Sequence, residues 1–410
     1  MTMIFQPKNL SNNIAIREKN GTTDLNSYIS TQITVTKGPS TIKIENKDLS
    51  KDINAILSTP VTKETNFMEK EKKDGCNENG PIKNELNELK LQIEEEFYRN
   101  KMAYENFELL EYIGKGKDTY VYKSMVKKTK KNVAMKIISI KENKKNTNEV
   151  NIHSKLKHKN IIDFYADFEI KKNELDCIII DYCKLGNLIE FQNNLIKKNY
   201  LSETMLCFFV YQILDGLNYL HRNKIGHLDL KPQNIVVDEY LVIKIIDFTI
   251  SLNYSKIKST KIKLPRMGTS FFMAPEVLNS DIINVKDINK VDLYSLGVII
   301  YFLAFGYFPF DLDKDDIKDY TKIYQKIKNE LKIDNEDNYY SPYFIDFIQK
   351  LLENDINKRI DINQALNHYW VKGAQILLDE KEKNFNASQF LSYLVADHIK
   401  NFDDYIKRQK

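Results

Sequence analysis

Eight residues near the middle of the chain bring a carboxylate, an ammonium and a carboxamide into one short run, His227-Leu228-Asp229-Leu230-Lys231-Pro232-Gln233-Asn234. The carboxylate of Asp229 can accept a hydroxyl proton, and the ammonium of Lys231 can neutralise a phosphate. The amide oxygen of Asn234 is a ligand of the kind that Mg²⁺ prefers. Because phosphoryl transfer requires these three groups together, the run predicts a catalytic loop.

This run resembles the catalytic loop H-R-D-x-K-x-x-N of eukaryotic protein kinases, with Leu228 in place of the arginine. Other motifs of that family stand around it in the family's order. The resemblance implies a bilobal α+β protein kinase fold, with a small β-rich N-lobe that holds one key helix and a larger, mostly helical C-lobe. It also implies a serine/threonine protein kinase that uses ATP and Mg²⁺. The C-lobe ending, His368-Tyr369-Trp370, is most similar to that of calmodulin- and calcium-dependent kinases.

The resemblance assigns a nucleotide site to the first strands. Gly114 and Gly116 match the glycine-rich loop, in which a missing Cβ lets backbone N–H groups approach the phosphates, while Thr119 replaces the third glycine. Lys136, in a run similar to V-A-I-K, would hold the α- and β-phosphates, and Glu149 would orient its ammonium. Further residues would surround the nucleotide, namely Ile113, Val121, Ala134, Ile180, Asp181 and Cys183. Ile180 can serve at once as a core strand residue and as the guard of the pocket behind the adenine.

The run Asp247-Phe248-Thr249 resembles D-F-G, the second magnesium site of the family, with threonine in place of glycine. With Asn234, Asp247 would therefore bind Mg²⁺ through hard oxygen ligands. A β-branched residue resists the positive φ angles that glycine adopts. Thr249 is therefore either a hindrance to the Asp-Phe flip of inactive kinases or a harmless replacement, and we favour the second interpretation.

Three more motifs define the substrate side and the frame of the C-lobe. Thr269 matches the threonine that hydrogen-bonds the catalytic loop in serine/threonine kinases, which favours Ser/Thr over Tyr as the acceptor. Glu276 resembles the acid of A-P-E, and Arg359 would be its buried ion-pair partner. Asp292, on a predicted core helix, would bind the backbone of the catalytic loop. We expect Asp292, Glu276 and Arg359 to be structural.

Leu228 predicts an unusual mode of regulation. The arginine that it replaces binds a phosphate on the activation loop and so orders that loop, and leucine cannot make this contact. We therefore expect that phosphorylation of Ser255, Ser259 or Thr260 is not the main activating switch.

The changes at Thr119, Leu228 and Thr249 raise the alternative of a pseudokinase that binds ATP as a scaffold. The complete set of catalytic residues favours an active enzyme. A kinase for small molecules is a third interpretation, which Thr269 and the protein-kinase form of the segment that ends at Glu276 disfavour.

Residue patterns divide the chain into four parts. Five runs rich in β-branched and aromatic residues between Phe107 and Asp181 predict strands, and Glu149 to Leu156 predicts a helix among them. Apolar residues at helical spacing predict an amphipathic leader helix and a helical tail, each of which either packs on the kinase domain or binds a partner. The predicted parts are a disordered segment 1–80, the leader helix 81–106, a kinase domain 107–372 (N-lobe 107–182, C-lobe 183–372) and the tail 373–410.

Composition excludes several other classes. Sixty-one Lys and Arg against 57 Asp and Glu give a net charge of only +4, which gives no reason to expect nucleic acid as a partner. The four cysteines lack metal-ligand spacing, and the first residues lack the pattern of a signal peptide. The apolar stretch Leu293–Phe310 is interrupted by two glycines and closed by Pro309, so we expect a core helix rather than a membrane span. These features predict a cytoplasmic or nuclear protein.

Overall fold

The computed structural model describes residues 37–38, 41–42, 106–115, 119–139, 147–170, 175–193, 201–310, 319–331, 333 and 340–374. Within the predicted disordered segment, Lys37–Gly38 pairs antiparallel with Thr41–Ile42. The rest of that segment, the leader helix 81–106 except for Asn106, and the tail beyond Ala374 lie outside the described residues. The predictions for these parts stay predictions.

The small lobe is built on one antiparallel sheet of five strands in the order β1-β2-β3-β5-β4. Its β-branched and aromatic side chains suit a pleated, half-buried surface. The strands are β1 (Phe107–Lys115), β2 (Thr119–Val126), β3 (Asn132–Ser139), β4 (Phe164–Ile170) and β5 (Leu175–Asp181). The helix α1 (Thr147–His153) lies between β3 and β4 in the chain. It begins and ends earlier than the predicted helix.

Strand β3 separates the core of the small lobe from the candidate site. Successive side chains of a strand point to opposite faces, and Val133, Met135 and Ile137 are all buried in the small-lobe core. Lys136 therefore points to the other face of the sheet, toward the large lobe. The core packing thus fixes the direction of this ammonium.

The large lobe is mainly helical, which confirms the predicted bilobal α+β fold. Its helices are α2 (Leu188–Phe191), α3 (Glu203–Arg222), α4 (Pro275–Leu278), α5 (Ile288–Phe305), α6 (Tyr320–Glu330), α7 (Pro342–Leu351) and α8 (Ile362–Leu366). Its short strands are β6 (Ile225–Gly226), β7 (Ile235–Val237), β8 (Ile243–Ile245), β9 (Leu252–Asn253), β10 (Lys261–Lys263) and β11 (Ile282–Asn284). They pair antiparallel as β7 with β8, β6 with β9 and β10 with β11.

Helix α5 contains most of the apolar stretch Leu293–Phe310 that the sequence predicted as a core helix, but it begins and ends earlier than that stretch. It ends at Phe305 because Gly306 adopts a left-handed conformation with φ 78°, which glycine tolerates without a steric penalty. Within the described residues, Val285–Phe305 is long and apolar enough to cross a membrane, but 78% of its 18-residue apolar stretch is buried inside the protein. Because it is mostly buried, it is weak evidence of a span, and we assign it to the core of the large lobe.

One buried ion pair ties the segment after the activation loop to the end of the large lobe. The guanidinium of Arg359 donates to both carboxylate oxygens of Glu276, at 2.7 and 2.9 Å, and its side chain is fully buried. Arg359 also donates to the backbone carbonyls of Glu353 and Lys290 and lies over the ring of Tyr294. The pair thus joins α4, α5 and the loop before α8.

Loss of this arginine should strongly destabilise the protein. We expect Arg359→Met to lower the free energy of unfolding by about 3–5 kcal/mol, because it leaves the Glu276 carboxylate buried without its cation. Urea unfolding followed by circular dichroism measures the change. Lys358→Met is the matched control, since Lys358 is 75% exposed and its pair with Asp355 spans 3.9 Å. Equal losses in the two variants would show that the buried pair has no special role.

Candidate active site

Lys136 lies at the junction of three elements. Its ammonium donates to both oxygens of Glu149 on α1, at 2.8 and 2.7 Å, and to Asp247 Oδ1 at 3.0 Å. Glu149 is buried, with 2% of its surface exposed. Burial opposes the charge on Lys136, but the two carboxylates outweigh burial and raise the pKa of the ammonium. The partner that the sequence predicted for Lys136 is therefore the one that lies beside it.

Asp247 combines an unusual backbone with a stabilised charge. Its φ is 68°, in the left-handed region. Burial favours the neutral acid, yet the Lys136 ammonium and the Thr249 hydroxyl outweigh it and lower the pKa of the Asp247 carboxyl. Asp247 is thus ionised at neutral pH and suited to bind a cation.

Thr249 has a place in the site that its sequence position did not reveal. Its hydroxyl lies 2.6 Å from Asp247 Oδ1 and 3.0 Å from Glu149 Oε2, and it accepts a hydrogen bond from Lys136 at 3.2 Å. Thr249 is not among the residues with positive φ, so the β-branched side chain causes no strain of that kind here. The polar hydroxyl was the only sequence signal for this role.

Phe248 lies between a histidine of the small lobe and a histidine of the large lobe. Its ring centroid lies 4.8 Å from that of His153 on α1 and 5.4 Å from that of His227 in the catalytic loop. His153 Nε2 is 2.7 Å from the carbonyl oxygen of Ile162, and His227 Nε2 is 2.9 Å from that of Ile246. The sequence analysis placed His227 in the catalytic loop without assigning its ring a role, and it did not single out His153.

The catalytic loop holds its polar groups close together. Lys231 Nζ donates to Asp229 Oδ2 at 2.8 Å and to the hydroxyl of Thr269 at 3.1 Å. The backbone N–H of Thr269 donates to Asp229 Oδ1 at 3.0 Å. Asn234 Nδ2 donates to Asp229, at 2.9 Å to the carbonyl oxygen and 3.2 Å to Oδ2. The structure thus gathers all four predicted residues, with Thr269 contacting Asp229 through its backbone rather than its hydroxyl.

Asp292 anchors this loop from helix α5. Its carboxylate accepts the backbone N–H groups of His227 at 2.9 Å and Leu228 at 2.8 Å, and His221 Nε2 lies 2.9 Å away. Leu228 has a φ of 65°, a conformation that costs a non-glycine residue about 1–3 kcal/mol. The buried carboxylate helps to hold the loop in that strained geometry.

The activation segment, residues 247–276, is held by main-chain contacts. Strand β9 pairs with β6, and β10 pairs with β11. The Tyr254 N–H donates to the Lys224 carbonyl at 2.9 Å, and the Val285 N–H donates to the Thr260 carbonyl at 3.0 Å. The side chain of Leu228 packs against the large-lobe core, where it offers no charge to a phosphate. Ser255, Ser259 and Thr260 are exposed.

The residues that were predicted to surround the nucleotide lie on neighbouring strands and in the link between the lobes. Val121 is opposite Lys136 in the sheet, and Ala134 is opposite Ile180. An added Cβ at Gly114 would meet no atom within 4 Å, so the space above this strand end is open. Ile113 lies on β1, and Asp181 and Cys183 lie where the lobes join. Gly116 lies outside the described residues.

The candidate metal ligands fit a Mg²⁺ ion that arrives with a nucleotide. The Ile246 N–H donates to the Asn234 carbonyl at 2.9 Å, which puts Asn234 beside the Asp247 segment. The Asn234 amide nitrogen, Nδ2, donates to Asp229. The amide oxygen of Asn234, Oδ1, is therefore the atom that could bind a metal ion. In the part of the chain that the structure describes, no group of three or more His, Cys, Asp or Glu could hold a metal alone. Two oxygen ligands plus phosphates are the usual pattern for Mg²⁺.

Comparisons with known proteins agree with this geometry. A family model described as "Protein kinase domain" matches residues 107–371. The chain is 31% identical over 282 residues to a probable myosin light chain kinase of Dictyostelium discoideum (67% of this chain, 55% of that protein). It is 33% identical over 306 residues to calcium-dependent protein kinase 3 of Plasmodium yoelii yoelii (73% and 53%). It is 32% identical over 295 residues to myosin light chain kinase family member 4 of Homo sapiens (67% and 69%). The chain thus spans about half the length of the first two.

Burial of His153 should make stability depend on pH. Burial lowers its pKa below the ordinary 6.5, and its Nδ1 has no hydrogen-bond partner among the described residues. As the pH falls through 6.5, the unfolded chain binds this proton first, so stability present at higher pH is lost. We expect a smaller loss of unfolding free energy between pH 7.5 and 5.0 in His153→Leu than in the wild type. Parallel stability profiles from urea unfolding would contradict this.

Proposed function

The chain belongs to the protein kinase domain family, and from this premise we propose that it transfers the γ-phosphate of ATP to serine or threonine hydroxyls of protein substrates. The observation that carries the proposal is the joint assembly of two clusters. One is Lys136 with Glu149 and Asp247, and the other is Asp229 with Lys231. Proteins that only bind nucleotide have no need of the second cluster.

Each residue has a definite task in this reaction. When bound, Mg²⁺ would supply positive charge that neutralises the charge developing on the phosphates. Asn234 and Asp247 would hold the metal, and Lys136 would hold the α- and β-phosphates. The nucleotide would lie against Ile113, Gly114, Gly116, Val121, Ala134, Ile180, Asp181 and Cys183. Closely held cations and donors suit phosphoryl transfer, because the reaction needs mainly positioning and charge stabilisation.

Asp229 would accept or orient the proton of the substrate hydroxyl. It is held by Asn234, Lys231 and the Thr269 backbone, so its carboxylate is fixed before a substrate arrives. Lys231 lies between Asp229 and the Thr269 hydroxyl, where it can neutralise the γ-phosphate. The bond between Lys231 and Thr269 supports Ser/Thr rather than Tyr as acceptor. Two relatives from Dictyostelium discoideum are named as serine/threonine-protein kinases, which agrees with this choice.

A scaffold that binds ATP without transfer is the second candidate. Three departures from the family motifs favour it: Thr119, Leu228 and Thr249. The contact of the Thr249 hydroxyl with both carboxylates argues that this departure is compatible with an assembled site. We therefore prefer the enzyme.

We further propose that activity does not depend mainly on phosphorylation of the activation segment. Leu228 supplies no cation for a phosphate, and the segment is already paired through β9 and β10. An intracellular site, cytoplasmic or nuclear, fits the three buried free cysteines of the described residues, Cys177, Cys183 and Cys207. The leader helix 81–106 and the tail 373–410 are proposed to pack on the domain or to bind a partner.

Asp229→Asn should abolish transfer without loss of nucleotide binding. We expect activity to fall by about 10²–10⁴-fold, because the amide cannot accept the hydroxyl proton. Phosphate transfer from radiolabelled ATP·Mg²⁺ to a degenerate Ser/Thr peptide library measures it, with Asp355→Asn as the exposed control. Unchanged transfer in Asp229→Asn would refute the role of this residue. No transfer by the wild type, with nucleotide still bound, would favour the scaffold.

The regulatory proposal has its own test. In the variant with alanine at Ser255, Ser259 and Thr260, we expect activity within about tenfold of the wild type, because order in the segment comes from the backbone rather than from a phosphate–arginine contact. The same assay after phosphatase treatment of the wild type provides the control. A larger loss in the variant, matched by the phosphatase-treated protein, would show that phosphorylation is the switch.

A further inference from the structure

Thr249 lies between the two carboxylates that surround Lys136. Its hydroxyl has one proton, and the nearer acceptor, Asp247 Oδ1 at 2.6 Å, is the better placed to receive it. Glu149 Oε2 lies 3.0 Å away, and the Lys136 ammonium donates to the hydroxyl at 3.2 Å. The hydroxyl therefore bonds Asp247 directly and is linked to Glu149 through the Lys136 ammonium, which donates both to the hydroxyl and to Glu149 Oε2. A glycine at this position could make none of these side-chain contacts.

Asn148 of α1 also contacts the start of the activation segment. Asn148 Nδ2 donates to the carbonyl oxygen of Thr249 at 3.2 Å and to that of Ser251 at 3.0 Å. Asn148 and Glu149 are consecutive, so two adjacent residues of α1 hold the start of the activation segment. The first contacts the backbone, and the second contacts the Thr249 side chain.

We propose that Thr249 is a positioning residue, which with Asn148 fixes helix α1 to the metal-binding Asp247 and so pre-assembles the site before nucleotide binds. The proposal rests on the proposed function for its catalytic consequence. Lys136 and Thr249 contact Asp247 only at Oδ1, through the ammonium, the hydroxyl and the Thr249 N–H, so among the described residues Oδ2 is the oxygen left available to a metal ion. Fixing one oxygen orients the other.

The Thr249 hydroxyl helps to stabilise the strained backbone of Asp247 through its hydrogen bond to the Asp247 side chain. At φ 68° the residue needs local contacts to keep its conformation. The Thr249 N–H lies 3.4 Å from Asp247 Oδ1, a long contact, whereas the hydroxyl is at 2.6 Å. Both groups donate to the same carboxylate oxygen, so the shorter distance makes the hydroxyl the stronger of the two local restraints.

Three substitutions at Thr249 separate the hydroxyl from the shape of the side chain. Thr249→Val keeps the branched shape and removes the hydroxyl, Thr249→Ser keeps the hydroxyl, and Thr249→Gly restores the residue of the D-F-G motif. We expect Thr249→Val and Thr249→Gly to lower kcat by about tenfold or more, since one charge-assisted hydrogen bond is lost. Both variants should also need a higher Mg²⁺ concentration for half-maximal activity. The kcat of Thr249→Ser should stay within about threefold of the wild-type value.

A second readout does not require turnover. Hydrogen–deuterium exchange of the nucleotide-free protein should become faster in residues 147–153 and 247–251 of Thr249→Val and should be unchanged in Thr249→Ser. Asn148→Ala should also speed exchange there, whereas Asn151→Ala, at an exposed position of the same helix, should not. Melting temperatures of the folded variants show whether any loss is global.

The outcomes distinguish this proposal from the proposed function. If the wild type transfers no phosphate but exchange is faster in Thr249→Val than in Thr249→Ser, the enzyme proposal fails and the positioning role holds. If exchange is equal in Thr249→Val, Thr249→Ser and the wild type, the positioning role fails, whatever the activity. An equal loss of kcat in Thr249→Val and Thr249→Ser would also overturn the positioning role, because the shape of the side chain rather than its hydroxyl would then determine activity.

Discussion

One ammonium group joins the parts of this protein that must act together. Lys136 is on a strand of the small lobe, Glu149 is on the helix beside it, and Asp247 begins the activation segment of the large lobe. The side chain of Glu149 is 3% exposed and that of Lys136 is 12% exposed, so leaving the Glu149 carboxylate without its cation would be strongly unfavourable. Asp247, whose side chain is 31% exposed, is the more accessible partner. The direction of Lys136, set by the core packing of β3, therefore constrains the positions of the other two.

The catalytic loop depends on a second buried carboxylate. Asp292 accepts two backbone N–H groups of the loop and contacts His221, which offsets the cost of removing its charge from water. Burial opposes its charge, but His221, His227 and the Leu228 N–H outweigh burial and lower the pKa of Asp292. Thus the strained backbone at Leu228 is held by a fully buried anion on the central helix, and the Asp229 carboxylate is presented from a rigid base.

The sequence was sufficient for the fold class and for most of the gathered side chains, for a physical reason. Phosphoryl transfer restricts the residue types that can act as proton acceptor, phosphate cation and metal ligand, so Asp229, Lys231 and Asn234 are legible in one short run. The contacts of Thr249 could not be predicted from the sequence. Its hydroxyl reaches Glu149 across 100 positions of the chain, and the sequence shows only a β-branched residue where glycine is usual. His153 was missed because a buried histidine on a helix carries no local signal of the ring that it will contact.

Leu228 and Thr249 are better understood together than as separate departures. Leucine removes a cation that would make order in the activation segment depend on an added phosphate. Threonine adds a hydroxyl at the start of that same segment and joins it to α1, while Asn148 joins the helix to the following backbone. Farther along, β10 and β11 hold the segment through main-chain hydrogen bonds, which need no modification. On the proposed independence from phosphorylation, these contacts within the chain would take the place of the phosphate–arginine contact in holding the segment.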